Sequence, residues 1–337
     1  MITDTISVVI CTYTEERWED LVSCVTSVQQ QTLSPQEVII VIDHNENLRK
    51  LASEHLVDVC VVENTQIRGL SGARNCGIAV AQHQIVVFLD DDTIANQDWL
   101  AQLHAQFSKP HVVSVGGEVK PRWSDKAPRW FPEEFYWVVG CSYRGMPQTT
   151  TQIRNPIGAN MSFRREVFDD VGGFRSKIGR VGTKPVGCEE TELCIRTRQE
   201  KPESVILYHP QASVSHHIVS RRATWSYFCA RCYGEGLSKA SISQYVGSRD
   251  SLASERSYML QTLPSGIMRN LAKAFFHNDL TGFLRVGAII AGLVITASGY
   301  VVGSVAERIA LSSGTAAKRE HYVFRARKEK NTHSYVP

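Results

Sequence analysis

The run Ile85, Val86, Val87, Phe88, Leu89 is closed by three consecutive carboxylates, Asp90, Asp91 and Asp92. An unbroken apolar run rich in β-branched residues has the composition of a strand buried on both faces, and such strands lie inside parallel sheets. Acids at the end of that strand put negative charge at the carboxyl edge of the sheet, where open α/β sheets bind ligands. Three like charges side by side call for a cation. Oxygen ligands suit Mg²⁺ or Mn²⁺, which are held by one or two carboxylates together with substrate phosphates. The plainer alternative is an acidic cap on a helix over residues 93–107, because Asp is favoured before a helix. One Asp would serve for that, so the triplet favours metal and phosphate.

The pattern upstream supports a sheet of this kind. Residues 6–11, 37–42 and 58–63 read as further strands, and residues 18–31 and 70–82 as helices between them. This alternation predicts an α/β fold with a doubly wound, mostly parallel sheet. A nucleotide-binding half is expected over residues 1–110, followed by a second half over 111–225 and a helical extension over 226–285. Residues 112–119 open a less regular region. Residues 158–174, 189–199 and 227–241 read as helices and 212–217 as a strand. Trp123, Arg129, Trp130, Phe131 and Trp137 suit either sugar stacking or a second small core.

A net charge of +3, with no basic motif interleaved with aromatics, argues against a nucleic-acid partner. The nine cysteines are scattered and odd in number, which suits a reduced, cytosol-facing protein. Cys229 and Cys232 have CxxC spacing without a second pair and read as thiols on a helix face. The first residues lack the basic start of a signal peptide. Residues 286–306 carry no charge, and about twenty such residues suffice to cross a bilayer core as a helix. Gly299 and Gly303 form a GxxxG pair, a helix-packing device in membranes but a weak motif by itself. Arg269, Lys273 and Arg285 precede the segment. Lys318, Arg319, Arg325, Arg327, Lys328 and Lys330 follow it in a basic tail over 307–337, so charge gives no clean orientation. The expectation is a protein on the cytoplasmic face of a membrane, single-pass or peripheral, with the apolar segment spanning or lying on the surface.

A parallel sheet gathers its strand ends, so Thr12, Asp43 and Asp90 should border one crevice. Asp43 can accept a hydrogen bond from a base N–H or a ribose hydroxyl. Arg74 and Asn75, in the segment RGLSGARNCG, can serve base or phosphate. The adjacent acids Glu189 and Glu190 open a helix, where negative charge also favours the dipole. A metal that neutralises a diphosphate and a separate carboxylate that takes a proton from an acceptor hydroxyl would together support in-line displacement, which inverts the reacting carbon.

Taken in order, SVVICTYTEE (7–16), VIDHN (41–45), RGLSGARNCGI (68–78), FLDDD (88–92), GANMSFRREVFDDVGGF (158–174) and EETELCIR (189–196) resemble the family 2 nucleotide-sugar glycosyltransferases of the GT-A type. The segment WFPEEFYWVVGC (130–141) resembles a subgroup that includes glucosyl-dolichyl phosphate glucuronosyltransferases. The resemblance implies that Thr12, Tyr13 and Asp43 meet the uracil and ribose, and that Arg74 and Asn75 belong to a loop closing over the nucleotide. It implies that Asp90 and Asp92 end the DxD motif, with Asp92 nearest Mn²⁺ or Mg²⁺ and Asp90 or Asp91 near the ribose. His216 falls where many members add a metal or pyrophosphate ligand, with His217 as the fallback. The family's base is the second acid of a Glu–Asp pair. Here that position is Glu190, one methylene longer, and the choice between Glu189 and Glu190 stays open. The implied activity is metal-dependent, inverting transfer from a UDP-sugar to a hydroxyl acceptor, a polysaccharide or a polyprenyl-phosphate-linked glycan, with a glucuronosyltransferase on a dolichyl-linked sugar as the narrower form.

Two rivals come from other classes. A nucleotide-sugar-processing enzyme, such as a pyrophosphorylase, would want a basic Gly-rich loop after the first strand, where Thr12, Tyr13, Thr14, Glu15 and Glu16 stand instead. A non-catalytic nucleotide-sugar binder would be expected to break the acidic set, which is intact.

Overall fold

The computed structural model describes residues 4–176, 178–180 and 187–312. Its framework is one mixed sheet with the strand order β3-β2-β1-β4-β8-β6-β9-β5, and β7 pairs with β9 off this path. The strands are β1 (Ile6–Thr12), β2 (Glu37–Ile42), β3 (Cys60–Glu63), β4 (Ile85–Asp90), β5 (Thr93–Ala95), β6 (Val112–Trp123), β7 (Thr151–Gln152), β8 (Asn160–Arg164) and β9 (Val205–Ile218). The helices are α1 (Trp18–Gln29), α2 (Glu46–His55), α3 (Leu70–Val80), α4 (Trp99–Gln106), α5 (Glu166–Val171), α6 (Glu189–Glu200), α7 (Trp225–Val246), α8 (Ser248–Ser251), α9 (Ala253–Ser257), α10 (Leu263–Phe276) and α11 (Thr281–Ser312).

Strands β3, β2, β1 and β4 are parallel, as the alternation predicts. The period-2 geometry of β1 divides the core: Ile6, Val8 and Ile10 pack with Leu21, Val25 and Trp99 on one face, and Val9 packs with Ala73, Phe88 and Phe163 on the other. Both faces are apolar because helices cover both. Beyond β4 the sheet turns antiparallel, through β8 and then β6, and parallel again between β6 and β9. The expected division near residue 110 thus falls within one continuous sheet.

Three local expectations need correction. Residues 93–107 are not one helix: Thr93 to Ala95 pair antiparallel with β9, and the helix starts only at Trp99. The acidic triplet therefore precedes a strand, and the helix-cap alternative falls. Residues 158–174 hold strand β8 followed by the short α5, because the segment is inserted between β4 and β6. Residues 112–119 belong to strand β6, whose pairing with β9 shifts register between Val112 and Ser114 and between Gly117 and Val119. In each case pairing with strands distant in sequence overrides local spacing.

The aromatic segment forms a core. Phe131 and Phe135 are buried, and Trp130, Phe131 and Phe135 meet Phe228 of α7 at centroid distances of 5.6, 5.4 and 5.3 Å. Helix α11 lies along α7 over this core. A Cβ on Gly299 would stand 2.3 Å from the Tyr233 carbonyl oxygen, and one on Gly236 would stand 2.2 Å from that of Thr296. The GxxxG pair is therefore used within the chain: its missing side chains let two backbones approach. Thr281–Ala306 is long and apolar enough to cross a membrane by length and composition. One face is nevertheless committed to α7, with Ala288 and Ile289 buried, while Phe283, Leu284, Ile290 and Val294 on the other are exposed. Residues 318–330 of the expected basic tail lie outside the described residues.

Candidate active site

The carboxyl ends of β1, β2 and β4 converge as the parallel register requires, with Thr12 opposite Ile42 and Cys11 opposite Asp90. They open into a cavity of about 500 Å³ bordered by Thr12, Tyr13, Asp43, Asp90 and Asp91 and, from the other side, by Arg180, Arg221, Arg222, Tyr227 and Arg231. The Tyr13 ring and the Arg17 guanidinium, 5.7 Å from its centroid, form one flank.

Asp43 braces the β2 end of the cavity. Its Oδ1 accepts from Asn64 Nδ2 at 2.6 Å and its Oδ2 from the Gly69 backbone N–H at 2.9 Å. This fixes the turn into α3, and each oxygen retains a further lone pair for a ligand.

Asp92 lies at the other end of the acidic turn, buried. The antiparallel pairing of β5 with β9 sets Thr93 opposite His216, and the His217 N–H donates to the Asp92 carbonyl at 2.8 Å. Strand alternation then sends the two histidines to opposite faces. His216 Nε2 comes within 3.0 Å of Asp92 Oδ1, whereas His217 bonds Asp20 and Ser124, which removes it as the fallback. Arg17 and Arg222 complete the surroundings of Asp92 at 3.2 and 3.6 Å. Burial opposes its charge, but His216 and Arg17 hold it well below the usual carboxylate range. Burial likewise opposes the His216 cation, yet Asp92 lifts it to about 10. Asp91 bonds Arg17 at 2.7 Å, and burial still raises it to about 6.

Asp90 points elsewhere, toward Arg74 at 3.4 Å. Among the described residues no three His, Cys, Asp or Glu side chains surround a common metal position. The donor chemistry still suits a divalent cation. Asp91 Oδ2 is buried without a hydrogen-bond partner among the described residues, and the buried Asp92 Oδ1 has the His216 imidazole nitrogen beside it at 3.0 Å.

Arg74 and Asn75 depart from the expectation. They lie in α3 and do not line the cavity. Arg74 is 2% exposed; its Nη1 bonds Glu189 at 2.6 Å and its Nη2 the Gly158 carbonyl at 3.0 Å. Asn75 clamps the Phe174 backbone, donating to its carbonyl at 2.7 Å and accepting from its N–H at 2.8 Å. Both are framework residues that tie the nucleotide half to the segment leading into α6.

That segment separates the two acids of the pair. Cys188 enters α6 with φ of 73°, a left-handed conformation that costs energy for a residue with a Cβ. Glu189 is spent on Arg74. Among the described residues Glu190 meets neutral donors only, Thr191 Oγ1 at 3.2 Å and Asn155 Nδ2 at 3.5 Å. Burial, and then the neighbouring Glu189, raise it to about 7. Glu190, like Arg74 and Glu189, is not among the side chains that line the cavity. Sequence reasoning missed the arginines: Arg17, Arg180, Arg222 and Arg231. The adjacent Arg221 and Arg222, just after the two histidines, were the available signal.

Comparison with known proteins agrees with this geometry. The model of glycosyl transferase family 2 matches residues 7–172. A glucosyl-dolichyl phosphate glucuronosyltransferase of Haloferax volcanii is 39% identical over 238 residues, covering 69% of this chain and 76% of that one. The chain belongs to glycosyl transferase family 2. The family resemblance extends to the amylovoran biosynthesis glycosyltransferase AmsE of Erwinia amylovora, 32% identical over 118 residues, 34% of this chain and 44% of that one. In fold, this glycosyltransferase is similar to a mannosyltransferase from Pyrobaculum calidifontis solved with GDP-Man and Mn²⁺. The TM-score is 0.56 at 17% identity, covering 88% of each chain. The protein is a glycosyltransferase on a GT-A-like sheet.

Proposed function

We propose that this glycosyltransferase moves a sugar, with inversion, from a UDP-sugar to a hydroxyl of a polyprenyl-phosphate-linked glycan at the cytoplasmic face of a membrane. The observation that carries the reading is the division of labour between Glu189 and Glu190. A general base works best with a pKa near the operating pH, and Glu190, raised to about 7 and without an ion-pair partner among the described residues, has it. It takes the proton of the acceptor hydroxyl as the oxygen attacks the sugar carbon, and the bond to the diphosphate breaks on the opposite side. Thr12, Tyr13 and Asp43 hold the nucleoside, and Arg221 and Arg222 face the diphosphate. Asp92 and His216, with Asp91 adjacent, are the residues that would hold Mn²⁺ or Mg²⁺. When bound, the cation supplies charge neutralisation for the departing diphosphate.

The lipid-linked acceptor is supported by the Haloferax relative, whose name places a dolichyl phosphate in its reaction. Membrane attachment is supported by the apolar face of α10 and α11, where Phe275, Phe276, Leu280 and Phe283 are exposed beside Lys273. Because α11 is docked along α7, a surface-lying attachment fits better than a free span. The test is a screen of UDP-, GDP- and dTDP-sugars for Mn²⁺-dependent nucleotide release, with and without polyprenyl-phosphate-linked acceptors. Release from UDP-sugars that rises with a lipid-linked acceptor is the expected result. Release confined to GDP-sugars overturns the donor, and stimulation by soluble glycans alone overturns the acceptor. Flotation with anionic vesicles checks the attachment, which fails if the full-length protein stays in the soluble fraction at low salt.

A further inference from the structure

We infer that Asn155 is a positioning residue for Glu190: held by Arg154 and, through it, by Glu255 of the helical extension, it aims the base and supports its ionised form. The inference rests on the reading of Glu190 as the base and names what holds it. Asn155 Nδ2 faces Glu190 Oε1 at 3.5 Å, and Arg154 Nε donates to Asn155 Oδ1 at 2.8 Å. An amide whose oxygen accepts from a guanidinium turns its nitrogen the other way, so Arg154 decides which end of Asn155 meets the carboxylate. Nη1 of the same guanidinium reaches the Glu255 carboxylate of α9 at 2.7 Å and the Ser251 carbonyl of α8 at 2.8 Å. One planar fork joins the loop after β7 to two helices of the extension. Thr191 and Asn155 both donate to Oε1 of Glu190, which leaves Oε2 to meet the acceptor hydroxyl.

Beyond Arg154 the charges alternate. Lys239 of α7 lies 2.6 Å from Glu255 and 3.3 Å from Glu235. Cys188 Sγ donates to Glu235 at 3.5 Å, and the Gly187 N–H donates to Ser238 Oγ of α7 at 3.1 Å. Arg154, Glu255, Lys239 and Glu235 form a neutral chain of two cations and two anions. One end rests on Asn155 and the other on the left-handed entry to α6, so Glu190 is bracketed by its side chain and by its helix start. The four side chains are 10–22% exposed, and an enclosed, mutually satisfied network holds its geometry. An N–H aimed at a carboxylate favours its charged form. Among the described residues the other charged or titratable groups around Glu190 are few. Glu189 and Arg74 are paired with each other, the burial of Glu235 is outweighed by Lys239 and Arg231, and burial keeps the Cys188 and Cys194 thiols protonated.

The test compares the full-length wild type with Asn155→Ala, Arg154→Lys and Glu190→Gln, first without substrate and then in turnover. Without substrate, Asn155→Ala should lose more melting temperature at pH 8, where Glu190 is charged, than at pH 5, where it is neutral, and this difference should vanish in the Glu190→Gln background. In turnover, with the donor and acceptor that the nucleotide-release screen selects, Asn155→Ala should lower kcat at pH 7 about threefold to tenfold. It should move the acidic limb of the kcat profile upward by roughly half to one pH unit, the scale of one hydrogen bond. UDP affinity with Mn²⁺ and the donor KM should stay within about twofold, which also reports that the variant is folded. Arg154→Lys keeps a cation beside Glu255 but cannot hold Asn155 as well. It should move the limb the same way with a smaller loss, and it carries the test if the alanine variant does not fold. A purely structural role predicts equal melting losses at both pH values and an unmoved limb, and that outcome overturns the positioning role while Glu190→Gln still reports the base. Retained transfer in Glu190→Gln strikes the base reading itself, and the positioning role with it.

Discussion

Two pairs of neighbouring acids stand at the two ends of this site, and they are solved differently. Asp91 and Asp92 are surrounded by three cationic side chains, Arg17, His216 and Arg222. Among the described residues Glu189 and Glu190 share one, Arg74, and Glu189 takes it. The result is a fully ionised Asp92 at one end and a Glu190 near 7 at the other. Environments that push the pKa values of paired carboxylates apart assign them different chemical work. The number of cations within reach, not the type of acid, makes one pair a charge anchor and the other a source of a base.

The sharpest test of this contrast is Glu190→Gln. Removing the base should lower transfer by a hundredfold or more, roughly the scale for general-base loss, while UDP affinity holds. Single-turnover transfer and nucleotide titration on one preparation check it. Retained transfer would mean that the base lies elsewhere. Asp92→Asn should come next, abolishing the Mn²⁺ dependence of UDP binding. Arg17 and Arg222 then face a neutral amide, and His216 loses the anion that held its charge, so metal-free UDP binding should survive. Calorimetric titration with and without Mn²⁺ separates the two, and an unchanged metal dependence removes Asp92 from the anchor.

Glu189→Gln asks whether the other acid of its pair is structural. It leaves the buried Arg74 without its 2.6 Å partner. Breaking a buried ion pair from one side costs about 3–5 kcal/mol, so the expected result is a lowered melting temperature. Transfer per folded molecule should fall far less than in Glu190→Gln. A stable variant without transfer would exchange the two roles.

How much of this was legible in the sequence follows from where the partners lie. The four parallel strands and the crevice at their ends are written in local runs of Val and Ile, and Thr12, Asp43 and Asp90 meet as those runs imply. Thr93, Ile94 and Ala95 were hidden, because a three-residue strand before a real helix has no period of its own. Its partner, the strand carrying His216, lies over a hundred residues away, and only that pairing chooses His216 over His217. The role of Arg74 was hidden for the same reason. On the page it is a polar residue in a Gly-rich segment, whereas in the fold its neighbour is Glu189, 115 positions on. The base could not be chosen from two adjacent glutamates until that neighbour was known. The GxxxG pair reads in sequence as a packing device in membranes, whereas the fold sets it against Gly236 of α7 in the same chain.

The smallest expected effect is also the most specific to the contrast, because it reads the environment of Glu190 without any substrate. Its value in the folded protein, about 7, lies above its ordinary 4.5, since burial and Glu189 favour the neutral form. A carboxyl raised in this way contributes stability that is complete below about 4.5. That contribution is lost as the pH rises through about 7, where the folded protein must carry a buried charge. Glutamine keeps the neutral shape and cannot ionise. Glu190→Gln should therefore melt with the wild type at pH 5 and above it at pH 8, by on the order of 2–5 °C. An acid already satisfied by a cation gives the opposite sign. Asp92 is held below its ordinary value, so Asp92→Asn should lower the melting temperature at pH 8, where its charge is paired with Arg17, His216 and Arg222. Melting curves of the two variants across this pH range compare the two pairs directly. Shifts of the same sign at pH 8 would show that the pairs are handled alike and would break the distinction between anchor and base.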